Sequence, residues 1–238
     1  GIDHFDMSAI PPTVSVVRMI EPGIAEGMLE YVTLATLALH RDLFTYVGQK
    51  QRRHWQAHSF PPARMRRVGV MGLGVLGQGV IARLRQFGFD CAGWSRSLHS
   101  IADVPCYAGS EGLPVFLRRT DILICLLPLT GETRGILNAD LFAQLANGAA
   151  LINVGRGGHL VEADLLAALA AGKLSHAVVD VATTEPLPEA HPFWNHPQIM
   201  VTPHIASMTQ PASAVAAVLE NLRLHAKGRP MIGLVDRH

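Results

Sequence analysis

The feature that most constrains the fold is a glycine-rich turn between an apolar run and an amphipathic stretch. The apolar run at 67–72 leads into Gly72-Leu73-Gly74-Val75-Leu76-Gly77, and a helical pattern covers 75–87. A strand, then Gly-x-Gly-x-x-Gly, then a helix is the order found where a Rossmann fold binds pyrophosphate, because the glycines allow close backbone approach and the helix offers free N–H groups. We therefore predict a dinucleotide site formed by Gly72, Gly74, Val75, Leu76 and Gly77.

The rest of the chain alternates short apolar runs with amphipathic stretches. Strands are predicted over 14–18, 67–72, 89–94, 121–127, 149–154, 175–181 and 198–202. Helices are predicted over 23–50, 75–87, 161–173 and 211–227, with a further one capped by Asn138. Strands separated by helices pair in parallel and are covered on both faces. The sequence thus predicts an α/β fold, a Rossmann-type doubly wound parallel sheet.

Composition narrows the function classes. The 20 Lys and Arg residues against 19 Asp and Glu leave a net charge of +1, which provides no general field for nucleic acid or an anionic membrane. No apolar run approaches the ~20 residues needed to cross a bilayer. The three cysteines lack CxxC spacing, which favours a reduced, cytoplasmic protein. His54 and His58 have a spacing that binds metal on a helix, but no acidic partner fits, so no metal site is expected.

The end of the second predicted strand reads Ser95-Arg96-Ser97. An acidic side chain that binds the adenine ribose is expected about 20 residues after the first glycine, and none stands there. A guanidinium with two flanking hydroxyls can instead bind a 2′-phosphate. We predict that Ser95, Arg96 and Ser97 select NADPH over NADH; the alternative is an arginine that only faces solvent.

Three polar residues follow successive strands in the second half of the chain. Arg156 follows the strand at 149–154, Glu185 follows 175–181, and His204 follows 198–202. Ligands of open parallel sheets bind at the carboxyl ends of the strands, so these side chains are expected on one rim beside the nicotinamide. An anion anchor, a carboxylate and an imidazole together form a candidate catalytic group.

The segments GLGVLG, LLPLTGETRGILN, INVGRGGHLVEADLLAAL, DVATTEPLPEAHPFWNHP and TPHIA, in this order, closely resemble the D-isomer-specific 2-hydroxyacid dehydrogenases. Within that family, WSRS, EPLPEAHPFW and a terminal VDR are most similar to the glyoxylate/hydroxypyruvate reductase A branch, which uses NADPH. The resemblance implies hydride transfer that converts glyoxylate to glycolate and hydroxypyruvate to glycerate.

The resemblance also implies roles for particular residues. Arg156 would bind the carboxylate and carbonyl of the 2-oxo acid, His204 would protonate the carbonyl oxygen, and Glu185 would hydrogen-bond the imidazole. A neighbouring carboxylate favours the protonated imidazole, which is the form that donates a proton. The implied cofactor-lining residues are Leu127, Pro128, Val154 and, against the nicotinamide amide, Asp180.

The same resemblance implies the domain organisation. A cofactor-binding domain at 23–204 would include the helix at 23–50 and an arm at 51–65, and residues 1–22 and 205–238 would be a remnant of a flavodoxin-like substrate domain. Gly1 would belong to the loop that binds the substrate carboxylate, and the part of that domain before Gly1 is expected to be missing. The alternative function is therefore a dinucleotide-binding module or cofactor sensor with little turnover.

The resemblance implies a homodimer formed through the Rossmann domain and the arm. Trp55, in this arm, would then cover the neighbouring subunit's site; an aromatic anchor within its own chain is the alternative. The expected partners are this second copy and a small 2-oxo or 2-hydroxy acid.

Overall fold

The computed structural model describes residues 7–20 and 22–235. Within them, seven strands form one parallel sheet. The strands are β1 (Arg67–Met71), β2 (Asp90–Ser95), β3 (Cys106–Ala108), β4 (Ile122–Cys125), β5 (Ala149–Asn153), β6 (Leu174–Val179) and β7 (Ile199–Val201). The prediction of a Rossmann-type parallel sheet is confirmed.

The strand order is β3-β2-β1-β4-β5-β6-β7. The chain runs outward from β1 to one edge, returns, and then runs from β4 to the other edge. The reversal creates a switch point between β1 and β4, where the connections leave the sheet in opposite directions. Ligands of doubly wound sheets bind at such a point, so the topology places the candidate site there.

The α-helices of the described residues are α1 (Pro22–His40), α2 (Leu43–Gln51), α3 (Val75–Gln86), α4 (Gly109–Arg118), α5 (Ala139–Gln144), α6 (Glu162–Ala170) and α7 (Pro211–Ala226). Residues of α1 and α3 cover one face of the sheet, and residues of α4, α5 and α6 cover the other. The predicted cap of α5 is confirmed, since the Asn138 side chain accepts a hydrogen bond from the Leu141 amide. Glu162 and Asp164 stand in the first turn of α6, where they complement the helix dipole.

The sheet separates two apolar cores because successive strand residues point to opposite faces. In β4, Ile122 and Ile124 pack with residues of α1 and α3, whereas Leu123 and Cys125 pack with residues of α4, α5 and α6. All four side chains are at most 2% exposed. This two-sided burial explains why the strands read as nearly continuous apolar runs.

Two local predictions are wrong, and one strand was not predicted. The helix predicted at 23–50 is two helices, because Asp42 adopts a left-handed φ of 53° between α1 and α2. The strand predicted at 14–18 forms only a single bridge, Val17 to Leu234, and Val14 beside it is largely exposed. Strand β3 was not expected, since three half-buried residues are too few to show a pattern.

The described residues divide into two compact units. One is Met28–Ala206, which holds the whole sheet, and the other joins the residues up to Gly27 with those from Ser207 onward. None of the helices described here combines the length and apolar character that crossing a membrane requires.

Candidate active site

The carboxyl ends of the strands bring the predicted site residues to one rim of the sheet. The glycine-rich turn follows β1, Arg96 follows β2, Arg156 lies three residues after β5, and Asp180 follows β6 directly. His204 lies three residues after β7. Since all seven strands are parallel, these segments leave the sheet at the same edge, on both sides of the β1–β4 switch point.

The glycine-rich turn fits a pyrophosphate. A Cβ added to Gly77 would lie 1.8 Å from the Gly72 carbonyl oxygen, so only glycine lets α3 pack this closely on the turn. A Cβ added to Gly74 would meet no described atom within 4 Å, which leaves open space directly before the first turn of α3. The N–H groups at the start of a helix lack partners within it and favour an anion there.

Arg96 stands beyond this turn with its side chain 83% exposed. Its Nη1 lies 3.5 Å from Oε2 of Glu132, whose side chain is 72% exposed. An ion pair this exposed contributes little, so a 2′-phosphate can compete for the guanidinium. Ser97 is exposed as well, but Ser95 is buried and its hydroxyl donates to the Ser97 carbonyl at 2.7 Å. In this arrangement Ser95 shapes the loop rather than presenting a hydroxyl to a ligand.

Glu185 and His204 form the best-defined contact of the rim. Nδ1 of His204 lies 2.8 Å from Oε2 of Glu185, and both side chains are a little over one third exposed. The other carboxylate oxygen of Glu185 accepts the Ala182 amide at 3.0 Å. Because Nδ1 faces the carboxylate, Nε2 is the ring nitrogen that can exchange a proton with a substrate.

The turn that carries His204 is held by Asp180. His204 has a left-handed φ of 55°, and its amide donates to the carbonyl oxygens of Asp180 and Thr202. The Asp180 carboxylate, 2% exposed, accepts hydrogen bonds from Thr202 Oγ1 at 2.6 Å and from the amides of Ile205 and Ala206 at 2.9 Å. These bonds satisfy a buried charge and offset the unfavourable backbone conformation.

Tyr31, on α1, extends this network. Its hydroxyl is hydrogen-bonded to Thr202 Oγ1, and since Thr202 donates to Asp180, the tyrosine is the donor in that bond. Burial, more than the nearby Asp180 charge, raises the pKa of Tyr31 to about 12. The phenol therefore stays protonated and remains a donor at physiological pH.

Arg156 lies on a separate turn that is packed against the Glu185 loop. Its Nη1 donates to the Gly155 carbonyl at 2.7 Å, and its amide donates to His159 Nδ1 at 3.0 Å. A Cβ added to Gly157 would lie 2.0 Å from the carbonyl carbon of Ala182, whose amide binds Glu185. The Arg156 turn and the Glu185 loop are thus connected by a direct backbone contact.

The remaining predicted residues differ in exposure. Leu127 and Val154 are 7% and 4% exposed, whereas Pro128 is exposed. Gly1 lies outside the described residues. The assignment of these residues to cofactor or substrate stays a prediction, as does the contact between Asp180 and the nicotinamide amide.

Residues 33–206 match the family described as D-isomer specific 2-hydroxyacid dehydrogenase, NAD binding domain. The chain belongs to this family. It is 43% identical to the glyoxylate/hydroxypyruvate reductase A of Yersinia enterocolitica over 227 residues, which cover 95% of this chain and 72% of that protein.

Solved structures of family members superpose closely on this chain. A Xanthobacter autotrophicus Py2 family member in complex with NADPH and MES is 40% identical, with a TM-score of 0.89 over 94% of this chain and 93% of the other. The NADPH-dependent glyoxylate/hydroxypyruvate reductase of Sinorhizobium meliloti, in complex with NADP and sulfate, is 39% identical, with a TM-score of 0.91 over 99% of this chain and 76% of the other.

The structure adds four residues that the sequence analysis missed: Tyr31, Asn153, His159 and Thr202. Asn153 ends an apolar run, and His159 stands three residues after Arg156. The sequence around Arg156 therefore points to both residues, which the structure buries fully. Nothing in the sequence near Tyr31 points to its role, because its hydrogen-bond partner, Thr202, is 171 residues away.

The predicted arm has no regular secondary structure over 54–62 and ends in a short 3-10 helix, Ala63–Met65. His54 and His58 lie beyond the end of α2 and contact the side chains of Gln56 and Gln49, respectively. The Trp55 side chain is fully exposed, so the alternative in which it anchors the arm within its own chain is wrong.

Proposed function

We propose that this chain catalyses the NADPH-dependent reduction of small 2-oxo acids, glyoxylate to glycolate and hydroxypyruvate to glycerate. The observation that carries the proposal is the pair formed by His204 and Glu185 at 2.8 Å, on the rim that also bears Arg156 and the glycine-rich turn. Related proteins with 43% and 39% identity bear the name glyoxylate/hydroxypyruvate reductase.

Each group of the rim has a chemical task in this reaction. The guanidinium of Arg156 binds the carboxylate of the 2-oxo acid, because it is always charged and can donate two parallel hydrogen bonds. The imidazole of His204, protonated and held by Glu185, gives a proton to the carbonyl oxygen. Bound NADPH supplies the hydride for the carbonyl carbon.

The chain's preference for NADPH rests on Arg96 and Ser97. The exposed guanidinium at the end of β2 can pair with a 2′-phosphate, and no acidic residue in the run 95–97 repels that charge. The Xanthobacter and Sinorhizobium relatives were solved with NADPH and NADP, which supports the same preference here. Gly72, Gly74 and the amides of Val75, Leu76 and Gly77 would hold the pyrophosphate, while Leu127, Pro128, Val154 and Asp180 would face the nicotinamide half.

We assign the unit Met28–Ala206, which holds the sheet, to the cofactor domain predicted at 23–204. The second unit is assigned to the substrate domain predicted at 1–22 and 205–238, with Gly1 in its substrate loop. A homodimer through the Rossmann domain and the arm is supported by the full exposure of Trp55, and a cytoplasmic location by three free cysteines.

The proposal is tested by following NADPH oxidation by the 238-residue chain with glyoxylate and with hydroxypyruvate. NADH replaces NADPH in one control, and His204→Asn replaces the wild type in another. We expect turnover with both acids, a preference for NADPH, and a loss of turnover in the variant on the order of 10²-fold or more. Tight NADPH binding without turnover by the wild type would instead support the dinucleotide-binding module.

A further inference from the structure

We propose that His159 is a positioning residue that holds Arg156 in its substrate-binding geometry. This inference rests on the proposed function, since it assigns a consequence for the 2-oxo acid that Arg156 binds. His159 is fully buried, and its Nδ1 accepts the Arg156 amide at 3.0 Å. In return, the His159 amide donates to the Arg156 carbonyl at 3.1 Å, so the two residues close a small ring of hydrogen bonds.

Asn153 holds the same turn from the other side. Its Nδ2 donates to the Arg156 carbonyl at 3.3 Å, and its Oδ1 accepts the Gly155 amide at 3.2 Å. Both the amide and the carbonyl of Arg156 are therefore bonded to side chains that are 0% exposed. A backbone held in this way loses its conformational freedom on folding and not on substrate binding, which strengthens the interaction with the substrate.

The imidazole of His159 packs closely against Gly155. A Cβ added to Gly155 would lie 2.8 Å from His159 Nδ1, so the glycine leaves the room that the ring needs. Nδ1 accepts a hydrogen bond only when it carries no proton, which requires the neutral ring with its proton on Nε2. His159 therefore does not serve as a second proton donor at Nδ1; it contributes an acceptor at a fixed point.

Two substitutions separate this acceptor from the bulk of the ring. Asparagine carries its Oδ1 on Cγ, as histidine carries Nδ1, so H159N keeps an acceptor for the Arg156 amide. H159L fills a similar volume without an acceptor. We expect H159L to raise the KM for glyoxylate by at least about tenfold, with the KM for NADPH unchanged, and H159N to restore most of the loss.

The experiment compares the wild type, H159L and H159N in two readouts: the KM values for glyoxylate and NADPH, and the hydrogen-exchange rate of the Arg156 amide measured by NMR. The expected result is fast exchange and a raised glyoxylate KM in H159L alone. A glyoxylate KM and an exchange rate in H159L within about twofold of the wild type would overturn the inference. So would equal losses in both variants accompanied by a lower melting temperature, because His159 would then only support the fold.

Failure of the proposed function is a different result. A wild type that binds NADPH but does not reduce glyoxylate would refute the reductase, whereas the exchange rates would still report whether His159 holds the Arg156 amide. Slow exchange in the wild type and H159N with fast exchange in H159L would then support the geometry alone. Equal rates in all three would refute it.

Discussion

Gly157→Ala is the substitution for which the structure makes the sharpest prediction. The added methyl would lie 2.0 Å from the carbonyl carbon of Ala182 and 2.1 Å from its oxygen. Ordinary contact begins near 3.4 Å, so the two backbones must separate by about 1.4 Å. Neither of the two atoms belongs to a flexible side chain that could move aside. The Arg156 turn and the Glu185 loop therefore have to move apart.

Two effects of this separation have different magnitudes. Overpacking a well-packed interior typically lowers the free energy of unfolding by about 1–3 kcal/mol. Displacing a substrate-positioning group by about 1 Å can cost on the order of 10²-fold in rate. We therefore expect Gly157→Ala to lower kcat/KM for hydroxypyruvate about 10²-fold while the protein stays folded and binds NADPH.

The assay is NADPH oxidation with hydroxypyruvate, run beside a urea unfolding curve for each protein. Gly131→Ala is the matched control, because its added methyl would meet no described atom within 4 Å. This control should keep the activity and the unfolding midpoint of the wild type. Full activity in Gly157→Ala would refute the reasoning, since it would show that the contact does not set the geometry of the site.

Three further predictions concern other parts of the site. Arg96→Asp should shift the ratio of kcat/KM for NADPH over NADH towards NADH by at least about tenfold. Arg83→Asp on α3 is the control and should leave the ratio unchanged. An unchanged ratio in Arg96→Asp would remove Arg96 from the cofactor site. Glu185→Gln should lower kcat on the order of 10²-fold with unchanged NADPH affinity, because the carboxylate that holds Nδ1 of His204 is lost; a kcat within about twofold of the wild type would contradict this. Burial raises the pKa of Tyr31 to about 12, above the value of 10.0 for a free phenol, so its ionisation in the unfolded chain should weaken the fold as pH rises from 10 towards 12. Tyr31→Phe should lose less stability than the wild type between urea unfolding at pH 8 and at pH 11; equal losses would argue against a buried phenol.

The fold was predictable where its determinants are local. The strand, glycine-rich turn and helix at 67–87 follow one another directly, and the buried strand β4 is a continuous apolar run. The break at Asp42 was not predictable from periodicity, because the apolar spacing continues through it and only two residues, one of them left-handed, separate α1 from α2. Aspartate can adopt the left-handed conformation, and nothing in the neighbouring sequence marks the position where it does so.

For the candidate site, the sequence predicts which residues share one rim of the sheet. Because parallel strands end at one edge, Arg156, Glu185 and His204 could be placed together from their positions after β5, β6 and β7. The family resemblance also implies the hydrogen bond between Glu185 and His204. The other hydrogen bonds that orient these groups could not be predicted. The bond between Tyr31 and Thr202 spans 171 residues, and the contact of Gly157 with Ala182 depends on how two loops pack.

This chain is expected to transfer hydride from NADPH to the carbonyl carbon of a 2-oxo acid. The most direct measurement uses NADPH in which both hydrogens at C4 of the nicotinamide ring are replaced by deuterium, with hydroxypyruvate as substrate, and analyses the product by mass spectrometry and chiral chromatography. We predict D-glycerate carrying one deuterium at C2 for each NADPH oxidised. Bound NADPH without labelled glycerate, or oxidation that leaves C2 unlabelled, would contradict the account.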